Sequence, residues 1–349
     1  MVIVKRRGKM EKNRKHEKNI SIQLIRVIAM FMIIMDHILV CLTFSFQPML
    51  VQIFNSGVFI FIFISGFLFE KKNVTNWGKW LKRRVFRICI PLWIFMIIDF
   101  ILEAVLWGTF NIKYVFIYAF NLQGILGVNI GGTNLWFLTL IMICYLITPF
   151  LQWIKQRHFG KKFAIVVSVM AAILQIILAY TTDIGMVVGH TLSWCVIAIG
   201  MYVVGYFAGN SILSENIGKR RIIILTVFIV LAVCMVLIFN HMYDGQIIYD
   251  RIVIFYGMVV VDLWICTVIY KIGQYVKQAW VKKIVQHLDS ISYEFYIVHG
   301  LIIVTITSKI LSQFGPIPYI LSTLVLSWIA AVAFHGVCGF LYGRCYNKS

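Results

Sequence analysis

An all-α, polytopic helical membrane protein of about ten transmembrane helices, both termini cytoplasmic, is the fold class this sequence predicts, on three observations. The chain is 61% hydrophobic and 13% charged, with mean hydropathy +0.90, which excludes an ordinary soluble domain. Apolar runs near bilayer-crossing length recur along it. Its 32 lysines and arginines fall in alternate loops: only Lys113, Arg251 and Lys309 lie on the far side of the membrane so defined, and Arg26 lies within it. The +19 net charge is therefore a topology signal, and no nucleic acid is needed to explain it.

The expected spans are 20–43, 51–69, 86–107, 135–154, 163–180, 189–208, 221–239, 252–270, 293–311 and 319–341. Residues 1–19 form a basic cytoplasmic arm, 20–341 the transmembrane domain and 342–349 a short cytoplasmic tail. The arm followed by an apolar run has the outline of a secretory signal. That run is too long, carries Arg26 and His37 and lacks a small-residue cleavage site, so an uncleaved first span is expected. Segment 108–134 is partly apolar and Gly-rich (QGILGVNIGGTN), the composition of a re-entrant or interfacial element. The eight cysteines lie mostly inside apolar runs with no CxxC or Cys/His ligand spacing, so they read as small buried hydrophobes and no metal is expected. No convincing internal repeat is present, which disfavours a transporter built from inverted halves.

The first span holds three ionisable residues, Arg26, Asp36 and His37, each costly against lipid and so expected to face protein or a wet cavity. Arg26 and His37 are eleven residues apart, which returns to within about 20° of one helix face and spans about 16 Å of depth. Asp36 points about 100° away from His37 and does not simply orient it. A neutral imidazole can take a proton from a hydroxyl, making His37 a candidate general base. A lone histidine can equally be a helix-packing residue; the pairing with Arg26 on one face favours function.

The second cluster is KWLKRRVFRICIPLWIF, Lys79–Phe95. Arg84 and Arg87 are neighbours on one face at the start of the third span, where guanidinium groups suit phosphate. Positive-inside anchoring with snorkelling side chains is the competing reading, strong when the cluster is taken alone. Pro91 kinks this helix or frees backbone groups. Asp99, Glu103, Asp262, Glu294, His299 and His335 are further polar groups inside spans, read as cavity-lining, and none has a recognisable metal-ligand spacing.

These segments together resemble the acyltransferase 3 family of integral membrane acyltransferases. The resemblance is carried by Arg26 and His37 with their ten-residue spacer, and by GVFIFIFISGFLF (Gly57–Phe69) with Ser65 and Gly66. It continues through RRVFRICIPL (Arg83–Leu92), NLWFLTLIMICYLITPFL (Asn134–Leu151), a weaker Gly200 and Gly205 segment, and SYEFYIVHG (Ser292–Gly300). The resemblance implies ten spans, a cytoplasmic acyl-CoA donor, most simply acetyl-CoA, and an acceptor hydroxyl on a cell-surface or exported glycan. The chain ends at Ser349 without the extracytoplasmic hydrolase-like domain of one branch of that family, so transfer is expected directly or through a separate partner protein.

Physical reading and resemblance converge on one donor geometry. Arg83, Arg84 and Arg87 hold the phosphates of coenzyme A, the pantetheine arm runs past Arg26, and the thioester reaches His37. The oxyanion donor is left open among Arg26, Ser65, Trp136 and Tyr296, with His299 a further substrate-side candidate. The lipid bilayer is the remaining partner, and a bacterial plasma membrane is the expected location. Two other readings stay open: the same chemistry on a small metabolite or lipid, and a transporter or flippase for a charged glycan precursor.

Overall fold

The computed structural model describes residues 19–44, 47–108, 111–128, 135–181, 186–214, 218–243, 254–303 and 310–346. The basic arm, Arg251, Lys309, Asn134 and the end of the tail lie outside them. No strand occurs among the described residues. Helix α1 (Ile20–Val40) is capped by Asn19, whose side chain accepts from the Ser21 N–H at 2.9 Å. The second expected span is broken at Ser56 into α2 (Gln47–Asn55) and α3 (Gly57–Glu70). The break seats Gly57 against α1: a Cβ there would stand 2.5 Å from the Ala29 carbonyl oxygen, an approach only glycine permits.

Helix α4 (Trp77–Trp107) begins well before residue 86, where the third span was expected to start. Asn76 accepts from the Lys79 N–H at 2.9 Å and fixes the earlier start, so Arg83, Arg84 and Arg87 sit inside a continuous helix instead of at its mouth. Segment 108–134, where described, carries two short helices, α5 (Ile112–Ala119) and α6 (Gln123–Leu126). Its backbone is knotted to the next helix. Asn121 donates to the Leu138 carbonyl at 3.0 Å and Gln123 to that of Leu135 at 3.0 Å; the Thr139 hydroxyl donates to the Asn121 carbonyl at 2.8 Å and accepts from the Gly124 N–H at 2.9 Å. Irregular backbone at membrane depth survives when its polar groups are paired inside protein in this way.

The chain continues as α7 (Trp136–Gln156), α8 (Gly160–Thr181), α9 (Met186–Ile212), α10 (Lys219–Tyr243), α11 (Ile254–Tyr275), α12 (Ala279–Ile302) and α13 (Pro316–Tyr346). Among the described residues eight helices are long and apolar enough to cross a bilayer. The seventh and ninth expected spans fall outside that set. Helix α10 runs through the whole of the seventh, 221–239, and α12 starts at Ala279, ahead of the residue 293 expected for the ninth. The first half of α12 is amphipathic, turning Val285 and Asp289 inward and Lys283 and Gln286 outward.

The core is the crossing of α3 and α9. A Cβ on Gly66 would strike the Tyr202 backbone and one on Gly205 the Phe63 backbone, so the two helices touch main chain to main chain at both points. Helix α1 packs centrally against α3, α11 and α12, with α13 behind α12. The outer faces of α8 and α10 expose Ile165, Val169, Ile173, Ile223, Val227 and Phe228, which is the surface a lipid tail replaces water on. The chain is a multi-pass helical membrane protein.

Candidate active site

Helices α1 and α12 run parallel and are joined by two polar rungs. At the first, Arg26 Nη1 meets Asp289 Oδ1 at 2.9 Å, and Gln23 donates to Asp289 Oδ2 at 3.2 Å. Asp289 is buried, and the Arg26 guanidinium also lies over the Phe61 ring, 5.5 Å from its centroid. At the second rung, His37 Nδ1 lies 2.6 Å from His299 Nε2. The two rings are parallel to within 2° with centroids 4.9 Å apart, as an in-plane hydrogen bond between imidazoles requires. The rungs are separated by about 15–16 Å of helix rise, since both helices advance in step. Asp36 Oδ2 stands 3.9 Å from His37 Nε2, beyond hydrogen-bond distance. His299 on α12 is thus within hydrogen-bond distance of His37, and its neighbour in sequence is not.

A cavity of about 670 Å³ opens beside the first rung. Its cationic wall is Lys72, Arg83, Arg84 and Arg87, with Arg26 at its inner end, against two carboxylates, Asp289 and Glu294. Arg84 is held by aromatic rings, its guanidinium 4.9 Å from the Phe69 centroid, 5.7 Å from Trp80 and 5.9 Å from Tyr145. Partial desolvation in the cavity wall, with the Arg84 and Arg87 charges close by, pushes the Lys72 ammonium below the usual lysine range. Pro91 also lines the cavity; it leaves the Arg87 carbonyl without its helical donor, and Tyr293 donates to the adjacent Ile88 carbonyl at 2.6 Å. On the opposite wall His335 Nδ1 meets Glu294 Oε1 at 3.0 Å, tying α13 to α12. An excess of cations, exposed or half-buried, around an open volume is a site for a polyanion.

A family model described as an acyltransferase domain (acyltransferase 3) matches residues 19–336, nearly the whole chain. The chain belongs to the acyltransferase 3 family. No protein of curated function and no solved structure matches it. The family makes it an acyltransferase embedded in a membrane.

In this acyltransferase the sequence candidates separate into two groups. Arg26, Arg83, Arg84 and Arg87 line one cavity. His37 and His299 meet at the deeper rung, and neither is among the residues lining that cavity. Tyr296 supplies its backbone carbonyl to His299 Nδ1 at 2.6 Å. Its ring packs on Phe137 at 5.4 Å, Phe137 on Phe61 at 5.6 Å, and Phe61 under Arg26, so aromatic rings bridge the two rungs. The Ser65 hydroxyl donates to the Phe61 carbonyl at 2.8 Å, within its own helix. Trp136 packs on Trp194 at 6.0 Å, which in turn stacks on Phe59 at 5.2 Å. Of the remaining polar groups, buried Glu294 and exposed His335 line the cavity, whereas Asp99 and Asp262 are buried away from its wall.

Sequence reasoning missed Asp289 and Lys72. Asp289 sits in a stretch read as a loop, and its signal was the inward period of Val285, Asp289 and Ser292 along α12. Lys72 read as one more positive-inside charge. Its place in the cavity wall beside Arg84 and Arg87 distinguishes it from Lys71.

Proposed function

We propose that this acyltransferase moves an acyl group, most simply acetyl, from cytoplasmic acyl-CoA to a hydroxyl of a cell-surface or exported glycan, with His37 as general base. The observation that carries the reading is the cavity. Five cations converge on an open volume whose inner end, Arg26, lies on the helix that carries His37 about three turns deeper. Coenzyme A combines clustered phosphates with a long narrow arm, which matches a cationic mouth leading toward a half-buried base. Arg84 and Arg87, with Arg83 and Lys72, take the phosphates through charge-assisted hydrogen bonds.

In the reaction, His37 Nε2 accepts the proton of the acceptor hydroxyl as its oxygen attacks the thioester carbonyl. The tetrahedral intermediate collapses with cleavage of the C–S bond. The departing thiolate takes the proton back from the imidazolium, leaving an ester, free coenzyme A thiol and neutral His37.

The experiment is turnover and binding of acetyl-CoA by purified protein in detergent or vesicles. His37→Ala is expected to bind acetyl-CoA and lose transfer; Arg84→Ala/Arg87→Ala is expected to lose binding. Wild-type protein that neither binds nor consumes acyl-CoA would remove the proposal and favour movement of a charged precursor instead.

A further inference from the structure

We infer that His299 is a positioning residue that fixes the tautomer of His37, presenting its Nε2 lone pair to the acceptor hydroxyl. The inference rests on the reading of His37 as general base and adds the group that makes it one. The argument is proton bookkeeping along one line of hydrogen bonds. The Tyr296 carbonyl can only accept, so His299 Nδ1, 2.6 Å from it, carries a proton. A neutral imidazole has a single N–H, which leaves His299 Nε2 as an acceptor. His37 Nδ1, 2.6 Å from that nitrogen in the same ring plane, must therefore be the donor. His37 is left with its lone pair on Nε2, the nitrogen on the Asp36 side.

The alternative, a second proton on the pair, places a full cation inside the helix bundle with the nearest carboxylate oxygen of Asp36 3.9 Å from the far nitrogen of His37. The neutral chain needs no such charge. When His37 takes the hydroxyl proton at Nε2, its Nδ1–H bond to His299 becomes charge-assisted and holds the imidazolium until the thiolate recovers the proton. This is the work an orienting carboxylate does in a hydrolase triad, carried out here by a second imidazole and a backbone carbonyl.

Three substitutions separate this role from packing. His299→Gln places an amide oxygen where Nε2 stood and can still accept from His37. His299→Asn keeps the bond to Tyr296 but is too short to reach His37, and His299→Leu makes neither bond. Expected are losses in kcat between about 10²- and 10⁴-fold for Asn and Leu, with recovery to within about tenfold of wild type for Gln. The KM for acetyl-CoA should stay within about threefold throughout, because His299 does not line the donor cavity. Bound acetyl-CoA, measured for each variant, reports that the bundle has folded, and if Leu fails that test the Gln and Asn pair carries the comparison. A Gln variant no more active than Asn, or an Asn variant with wild-type kcat, overturns the inference. His37→Ala measured alongside distinguishes the two levels: retained turnover there sinks the base itself, whereas loss there with indifference at His299 sinks only the positioning role.

Discussion

The two rungs between α1 and α12 use opposite chemistry, and on the proposed reading the contrast lets one pair of helices serve both a donor and a reacting centre. At the arginine rung the interaction is between full charges, spread over Arg26, Lys72, Arg83, Arg84 and Arg87 around a cavity. Coulomb attraction falls slowly with distance and tolerates small errors in angle, so several cations can share a flexible polyphosphate. At the histidine rung the proposed control of which nitrogen is basic runs through a 2.6 Å contact between coplanar rings. A hydrogen bond of that kind is lost with a small tilt. Redundancy belongs where a ligand is gathered, and geometric precision where a proton moves.

The comparison can be broken most directly at its precise end. His37→Ala removes the proposed base and is expected to lower kcat by about 10²- to 10⁴-fold with donor binding intact, measured by steady-state transfer and by acetyl-CoA binding. At the other rung the largest effect is on stability. Asp289→Ala leaves Arg26 without its buried carboxylate and should cost about 3–5 kcal/mol, read as a lower unfolding midpoint in detergent. Arg26→Met/Asp289→Leu, which removes both charges, should recover most of that loss, since an apolar pair of similar volume replaces a buried ion pair at little cost. If the single and double variants are equally unstable, the rung is not acting as a charge pair.

Redundancy predicts milder effects on the cavity wall. Arg84→Lys keeps the charge but loses the flat guanidinium that lies against Phe69, Trp80 and Tyr145, and is expected to raise the KM for acetyl-CoA about tenfold with kcat unchanged. The smallest effect is on pH dependence. An anion binds the protonated form of Lys72, whose pKa lies below the usual lysine range, so donor affinity should weaken as pH rises into the alkaline range before an ordinary lysine would titrate. Lys72→Met should lower affinity modestly and flatten that alkaline limb in a titration of acetyl-CoA binding. An alkaline limb that persists unchanged in Lys72→Met would assign it to another group.

Much of the α1 rung was legible in the sequence because it follows from helix period alone. Eleven residues between Arg26 and His37 put them on one face, and an apolar 20–43 run puts that face in a membrane. The small residues Gly66 and Gly205 were visible as parts of a resemblance, but their use was not: each is the point where one helix presses on the main chain of the other. Helix ends were less legible. Asn76 and the amphipathic half of α12 carried α4 and α12 beyond their hydrophobic spans, because capping and inward-facing polar groups extend a helix without adding hydropathy.

The sequence by itself determined that the chain is a helical membrane protein and which residues share a face of α1. Each of those is a local property, fixed by composition and the 3.6-residue repeat. Only the tertiary structure decided that Arg26 pairs with Asp289 and His37 with His299, partners more than 250 positions away. Helix period says which way a side chain faces but not which helix it faces. That choice is made by close packing of the whole bundle, where α1 happens to lie against a parallel helix advancing at the same rise per residue.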